Sequence, residues 1–462
     1  MRRRFVSVAL AGLLLASAFA AISVSTLGKG DLLGNDRPNE DEEPLEWTIM
    51  VYLAGDNNLQ FETVSDLAEM EAGMAAAMAA GADPDYVNVI ALVDTFDLTV
   101  NTHYLIVEDQ GKINVETGEI ACDCAEVLGG ECPESELNMG DPATLQAFIE
   151  NSVAYAPADR YMLILWDHGG GWYGACWDDT SVRTEIDGRI DRLTVDEIGN
   201  AIGAAVESTG VHLDVIGFDA CLMAMIEVAY EVRDLADYMM ASVTGIPFGG
   251  WAYIPFIEEL VKRPGMSVEE LMDIIVDGYV DYYSICAGYG LGGWIGVGLS
   301  VIELSLVDAI ANAVDALSYG LGDGLESGEI SRGTIATAIK SSTPGIQMSG
   351  EQFAFPDLGI AASRLADLCP GVKTEAEAVA SAVAAAVTCD WVSQQNTEVF
   401  TTTGMTIYLP VAYYYTYVDY SYETAEDAAD FGEFIYYGLD FVIDTNWDEF
   451  ILEDLCFAYV AE

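Results

Sequence analysis

The sequence predicts an α/β protein: a mostly parallel sheet with helices on both faces, followed by a mixed α/β C-terminal part. Three observations predict it. Short apolar segments alternate with helical ones from Trp47 to Val243, the pattern of strands covered on both faces. The main segments end in turn-forming clusters, Gly55-Asp56-Asn57-Asn58, Asp167-His168-Gly169-Gly170-Gly171 and Asp219-Ala220-Cys221. And 52% of the 462 residues are hydrophobic, so a sizeable core is available.

The elements follow in order. Trp47–Ala54 (WTIMVYLA) is an apolar strand, and Asp56 or Asn57 can cap a helix over Phe61–Ala80. Tyr86–Asp94 is a second strand. His103–Val107 and Lys112–Val115, split by Asp109-Gln110-Gly111, read as a hairpin. A helix over Pro142–Ala154 precedes the buried strand Tyr161–Trp166 (YMLILW). A helix over Val195–Ser208 precedes the strand Leu213–Phe218 (LDVIGF). Leu222–Leu235 reads as a helix opened by Cys221, with Met223, Met225 and Ile226 on its core face, and Tyr238–Val243 as a fifth strand. Beyond Trp251 the pattern changes. Helices at Ile254–Val261 and Val268–Tyr283 lead to a strand at Trp294–Ile302, which can complete the first sheet. Ala-rich helices follow at Leu304–Leu317, Gly333–Ser341, Phe355–Leu368 and Glu375–Thr388, then a Thr/Tyr-rich β stretch over Thr397–Tyr417 and closing helices.

Charge narrows the partners. With 17 Lys+Arg against 76 Asp+Glu the net charge is −59. Nucleic acid is excluded, because phosphate binding needs basic surface; adhesion to anionic lipid is disfavoured for the same reason. Basic or neutral substrates fit, and so does a salty milieu, where an acidic, Lys-poor surface stays soluble. Arg2, Arg3 and Arg4 precede the apolar run Phe5–Leu27, with small residues near Ala18–Ala21. This reads as an export signal of secretory or twin-arginine type, or as a retained N-terminal anchor. The acidic, Pro-containing residues Gly28–Glu46 read as a linker. Of nine cysteines, Cys122, Cys124 and Cys132 cluster. A disulfide-pinned loop is favoured there over a metal site, because Cys-x-Cys is not a usual zinc spacing and no His is near.

The chemistry converges on two strand ends. The chain has three histidines. His103 and His212 lie in or beside strands and read as packed or surface residues. His168 sits just past the carboxyl end of a buried strand, before three glycines, in the crevice where ligands and catalytic groups of open α/β sheets gather. Cys221 has the same placement after the next buried strand, and at a helix N-terminus its thiolate would be favoured. If those strands are neighbours, a Cys and a His face each other, the minimum for nucleophilic acyl transfer.

The strings WTIMVYLAGDNNL, LILWDHGGGW and IGFDACLMAMIEVAYEV resemble the clostripain family of cysteine peptidases, of the caspase-like clan. The resemblance runs from about Trp47 to Tyr253. It implies a caspase-like sheet, His168 as general base, Cys221 as nucleophile, and backbone N–H groups of Gly169 and Cys221 as the oxyanion hole. No third catalytic residue is implied, although Asp167 could orient His168 or face solvent. The expected organisation is 1–27 a signal peptide or N-terminal anchor, 28–46 the acidic linker, 47–300 a caspase-like catalytic domain, and 301–462 a C-terminal α/β region completing or packing on it.

Members of the family it resembles mostly cleave after Arg or Lys. The acidic residue two before the nucleophile is Asp219, a substrate-pocket candidate whose other reading is a cap on the Cys221 helix. The segment Ala241–Tyr253 is expected to form a pocket wall; it holds no carboxylate, and Trp251 is a candidate shelf for substrate. Relatives are often matured by internal cleavage between the His and Cys motifs, so the resemblance implies self-cleavage in the polar stretch Ala175–Arg192, at Arg183 or Arg189, against a plain solvated loop. No cofactor is needed for the chemistry. Calcium is a candidate cofactor through the resemblance, but no EF-hand loop is present and no metal ligand is nominated. The expected partner is a peptide or protein substrate, with no nucleic acid and no membrane contact beyond an N-terminal anchor, and the expected location is outside the cell or on its surface. Two other functions remain: a catalytically silent surface-binding or adhesion protein on a peptidase scaffold, and a transpeptidase.

Overall fold

The computed structural model describes residues 45–95, 103–115, 117–129, 136–183, 189–288, 296–340, 342, 355–392, 402–409, 436 and 438–451. The predicted export signal and the linker up to residue 44 lie outside the described residues, as do Cys132 and most of the Thr397–Tyr417 stretch.

An eight-stranded sheet has the order β12-β11-β10-β9-β6-β1-β2-β3. Its centre is parallel: β10 (Ala236–Ala241), β9 (Leu213–Asp219), β6 (Ala158–Trp166), β1 (Leu45–Gly55) and β2 (Val87–Thr95). The flanking β3 (His103–Ile106), β11 (Val297–Glu303) and β12 (Val387–Val392) are antiparallel to their neighbours. The period-2 geometry of a strand splits β1 between two cores. Met50, Tyr52 and Ala54 enter one, and Trp47, Ile49, Val51 and Leu53 the other.

The first core is closed by α3 (Pro142–Tyr155), α4 (Val195–Thr209), α5 (Ile226–Glu231), α8 (Val307–Ser327), α9 (Arg332–Lys340), α10 (Leu358–Leu368) and α11 (Lys373–Ala386). The second is closed by α1 (Gln60–Ala79), α6 (Tyr253–Lys262) and α7 (Val268–Gly288). The short helix α2 is Cys124–Val127; two more, α12 (Asp440–Asp444) and α13 (Trp447–Glu449), lie near the end of the described chain. Local signals set the helix starts. Asp141 accepts from Ala143 N with Pro142 in the first turn, and Thr194 forms a capping box with Glu197. Beyond residue 300 the chain supplies β12 to the same sheet and much of one helical layer.

Four expectations about local structure are corrected. His103–Ile106 pairs with β2 at the sheet edge, whereas β4 (Ile113–Asn114) pairs with β5 (Glu119–Ile120), so the expected hairpin between the two does not form. The expected helix Glu375–Thr388 stops at Ala386, where Ala gives way to Val387 and Thr388 and the chain turns into β12. Ala175–Arg192 is not a solvated loop: β7 (Ala175–Arg183) and β8 (Arg189–Leu193) form a two-stranded sheet, with Cys176 and Asp178 buried. The fourth concerns Cys221 and is described with the site. Cys122 and Cys124 are both disulfide-bonded, consistent with a pinned loop. No described helix is long and apolar enough to cross a membrane.

Candidate active site

β6 and β9 are adjacent and parallel, and their last paired residues are Trp166 and Asp219. His168 and Cys221 each lie two residues beyond that pair. Asp167 N donates to Asp219 O at 3.3 Å, so the two chains leave the sheet together. The contact then tightens. A Cβ on Gly169 would lie 2.1 Å from Cys221 O and 2.8 Å from Cys221 N, so only glycine fits between the two loops. Neither the Gly169 nor the Cys221 N–H donates to a backbone carbonyl among the described residues. Both N–H groups lie beside the thiol, and that of Cys221 meets its own sulfur.

Cys221 does not open a helix. Leu222 adopts a left-handed backbone (φ 68°), and Met225, just before α5, is extended. Leu222 N donates to Thr244 O and Ala224 N to Ser242 O, while Met225 bridges to Thr406. These contacts hold the segment against residues 242–244 and Thr406, and α5 starts only at Ile226. The dipole argument for a thiolate therefore fails. Burial, followed by the charges of Asp219 and Asp167, pushes the Cys221 thiol up to about 11. Its Sγ accepts from Ile246 N at 3.2 Å. Met223, Met225 and Ile226 are buried, as expected, but the two methionines precede the helix.

His168 is half-buried, and burial lowers its pKa. Its Nε2 lies 3.0 Å from Asn58 Oδ1, in the turn after β1. Sequence reasoning missed Asn58; its signal was the Asp-Asn-Asn cluster at a strand end. Asp167 neither faces solvent nor reaches the imidazole. Its carboxylate accepts from Asn57 Nδ2 at 2.7 Å, from Trp177 N at 2.5 Å and from His168 N. It thus ties the His168 backbone to the turn and to β7.

Asp219 is buried and does not cap a helix. Its Oδ2 accepts from Trp251 N at 2.9 Å and from Tyr253 OH at 3.0 Å, while Oδ1 has no partner. Asp66 joins it: a Cβ on Gly250 would lie 2.7 Å from Asp219 Oδ2 and 2.8 Å from Asp66 Oδ2. Glu69 Oε2 accepts from Tyr253 N at 3.3 Å. Burial raises Asp219 and Glu69 to about 7 and Asp66 well above the carboxylate range, with mutual repulsion adding to Asp66 and Glu69. Asp66 and Glu69 were also missed. Their signal was two acids, three residues apart, among the buried residues Val64, Leu67 and Met70 of α1. Trp251 is fully buried and packs against Gly217 of β9, so it forms no shelf for substrate.

The backbones of Arg183 and Arg189 pair at the loop end of the β7–β8 hairpin, next to residues 184–188, which lie outside the described residues. Arg192 is buried, its guanidinium 3.6 Å from the Tyr173 ring centroid. His212 pairs with Asp237 at the surface, far along β9 from the site. One further group of side chains could hold a metal: Asp56, Asp94, Glu136 and Asp178. The sequence did not reveal it, because the four come from four separate segments.

An open, mostly parallel sheet with a histidine and a cysteine at adjacent strand ends is the arrangement of caspase-like cysteine peptidases. Residues 51–454 match the clostripain family, and the chain belongs to it. It is 31% identical over 245 residues to clostripain of Hathewaya histolytica, a match covering 48% of this chain and 44% of that protein. The chain thus spans less than half the length of that relative. The fold is shared with a secreted C11 cysteine protease of Bacteroides thetaiotaomicron bound to an irreversible peptide inhibitor (TM-score 0.57, 21% identity, 87% of this chain and 99% of that one). It is shared too with an inactive zymogen C11 protease of Parabacteroides distasonis (TM-score 0.58, 19% identity, 87% and 99%).

Proposed function

We propose that this chain is an exported cysteine endopeptidase that cleaves after Arg or Lys through a Cys221–His168 dyad. The observation that carries the reading is the junction of the two strand ends, where Gly169 lies against the Cys221 backbone. With the thiol raised and the imidazole lowered, the resting pair is neutral at pH 7. His168 therefore takes the thiol proton as Sγ attacks the scissile carbonyl carbon. The N–H groups of Gly169 and Cys221 donate to the oxyanion. The C–N bond then breaks, His168 gives its proton to the departing amine, and a thioester remains. Water, deprotonated by His168, attacks that thioester, and the acid leaves as Cys221 regains its proton.

Asp219, with Asp66 and Glu69 behind it, supports the preference for a basic side chain. An Arg or Lys entering beside Asp219 Oδ1 would supply the missing partner and draw the carboxyls into their ionised forms. Arg183 and Arg189, at the loop end of the hairpin that holds Trp177 against Asp167, support maturation by self-cleavage. Export rests on the basic and apolar N-terminal run, and a secreted relative of the same fold is in keeping with it.

The test is digestion of an unbiased peptide library by wild type and Cys221→Ala, with the chain itself followed by mass spectrometry. The expected result is cuts after Arg or Lys, and clipping at Arg183 or Arg189, in wild type only. Cuts after other residues, still lost in Cys221→Ala, would retain the dyad and remove Asp219 as a selector. Ligation to an added amine in place of hydrolysis would make it a transpeptidase. No cuts under reducing, calcium-replete conditions would leave the binding scaffold.

A further inference from the structure

Part of the C-terminal region lies against both catalytic loops. Residues 405–408 pack along the chain that follows Cys221. Thr406 N donates to Ala224 O at 2.9 Å, and Ile226 N donates to Thr406 O at 3.0 Å. On the other side, Leu358 N donates to Met405 O at 2.8 Å and Asp357 bridges to Thr406. The His168 loop meets the same place. Trp172, four residues after His168, is buried, and its N donates to Met225 Sδ at 3.3 Å. Its ring centroid lies 5.1 Å from that of Tyr408 and 5.1 Å from that of Tyr436.

Glu227 joins these parts. It lies in the first turn of α5 and is 0% exposed. Its Oε1 accepts from Tyr408 N at 2.8 Å and from Tyr436 OH at 3.1 Å. Its Oε2 has no hydrogen-bond partner, and neither has Trp172 Nε1. A buried carboxylate with one oxygen unpaired is costly, whereas a neutral carboxyl keeps both bonds through its carbonyl oxygen. Burial accordingly raises Glu227 to about 7, against the pull of the Tyr408 N–H, its own N–H and the Tyr436 hydroxyl. Burial and the Glu227 charge hold Tyr436 well above its ordinary value, so it stays a donor. The acids of the neighbourhood are Glu231, one turn on in α5, Asp448 of α13, whose charge reaches Tyr436, and Asp357 beside Thr406. Its cations are engaged elsewhere: Arg192 stacks on Tyr173, and Arg233 pairs with Asp308, Asp440 and Asp444.

We propose that Glu227 is a positioning residue for the catalytic pair: it fastens residues 405–408 and Tyr436 against Trp172 and Met225, and through them holds the backbones that carry His168 and Cys221. It touches no reacting atom. Only the consequence for catalysis rests on the dyad proposed above; the docking itself does not. Trp251 and Tyr253, which meet Asp219, belong to the other core, so the effect falls on turnover more than on substrate binding. The hold also depends on pH. The folded carboxyl is raised from the ordinary 4.5 to about 7, so docking is strongest below about pH 4.5, weakens as pH rises to about 7, and stays weaker above it. That interval allows at most about a three-hundredfold change in the docking equilibrium.

The test is hydrogen exchange over residues 402–409 and 169–175 between pH 5 and pH 8, corrected for the intrinsic rate at each pH. It uses the full chain in the Cys221→Ala background, which cleaves nothing, so a failed peptidase reading and a failed docking role give separate answers. In this parent, protection of 402–409 should fall as pH rises, by up to about three-hundredfold. In Glu227→Gln, whose carbonyl accepts the same two bonds and whose amide does not ionise, it should stay level. Asp448→Asn and Glu231→Gln remove the neighbouring acids that are also raised to about 7, and both should retain the fall. Glu227→Ala should lose protection of both segments at every pH. In the active enzyme, Glu227→Ala should lower kcat at least about tenfold and change KM less than about threefold, and Glu227→Gln should restore kcat. An equal fall in Glu227→Gln and its parent would overturn the proposal. So would a folded Glu227→Ala enzyme with wild-type kcat. If Glu227→Ala does not fold, Glu227→Gln decides alone, by the presence or absence of the fall.

Discussion

Gly169→Ala tests the junction between the two strand ends. The added Cβ would sit 2.1 Å from Cys221 O and 2.8 Å from Cys221 N, where ordinary contact begins at 3.4 Å. Both obstructing atoms are backbone, so no side chain can swing away. The two loops must part by more than about 1 Å, a displacement that costs about a hundredfold in rate when it separates reacting groups, or roughly 2.7 kcal/mol. Stability should fall far less, because neither loop belongs to the sheet. The assay is kcat/KM on a peptide with Arg before the scissile bond, beside the alkylation rate of Cys221 and the melting curve. Gly170→Ala is the control: its Cβ would first meet the Trp177 ring edge at 3.2 Å, a side chain that can yield. A Gly169→Ala enzyme as active as wild type, with unchanged alkylation, would refute the packed junction and the oxyanion site built on it.

Asp219→Asn should lose cleavage after Arg and Lys by at least about thirtyfold, the worth of a charge-assisted hydrogen bond. Because the folded carboxyl is raised to about 7, the fold holds its proton more tightly than the unfolded chain does. Wild-type stability therefore falls as pH rises from about 4 to about 7 and stays lower above that range. Asp219→Asn should accordingly melt higher than wild type at pH 8, by an amount on the order of 4 kcal/mol at most. A lower melting temperature there would contradict the assignment. In wild type, KM for basic substrates should rise as pH falls below about 7, and this dependence should vanish in the variant. Asn58→Ala should lower kcat about tenfold and shift the acid limb of its pH profile, with the melting temperature unchanged because Asn58 is exposed. An unaltered profile would show that Asn58 does not position His168.

The fold was legible because its centre obeys local rules. Five apolar strands alternate with helices, and each of their five predicted segments overlaps an observed parallel strand. The errors arose where distant chain overrode local preference. Leu222–Met225 has good helix formers, yet it is not helical, because residues 242–244 and Thr406 take its hydrogen bonds. His103–Ile106 and Ile113–Asn114 are separated by a turn signal, yet each pairs elsewhere. Trp251 looked suited to a pocket rim and is instead packed beneath β9.

By itself the sequence singled out the two candidate residues for the chemistry. His168 and Cys221 were marked by position at apolar strand ends, and the order of three motifs supplied the family. Such features are local, so spacing along the chain carries them. Only the tertiary structure decided what surrounds those two residues. It placed Asn58 on His168, Asp66 and Glu69 behind Asp219, and four carboxylates from four segments at one point. It also turned the expected thiolate into a thiol pushed up to about 11. The physical reason is common to all of these. Burial and like-charge repulsion depend on distance through space, and the sheet brings together residues that lie tens to more than a hundred positions apart.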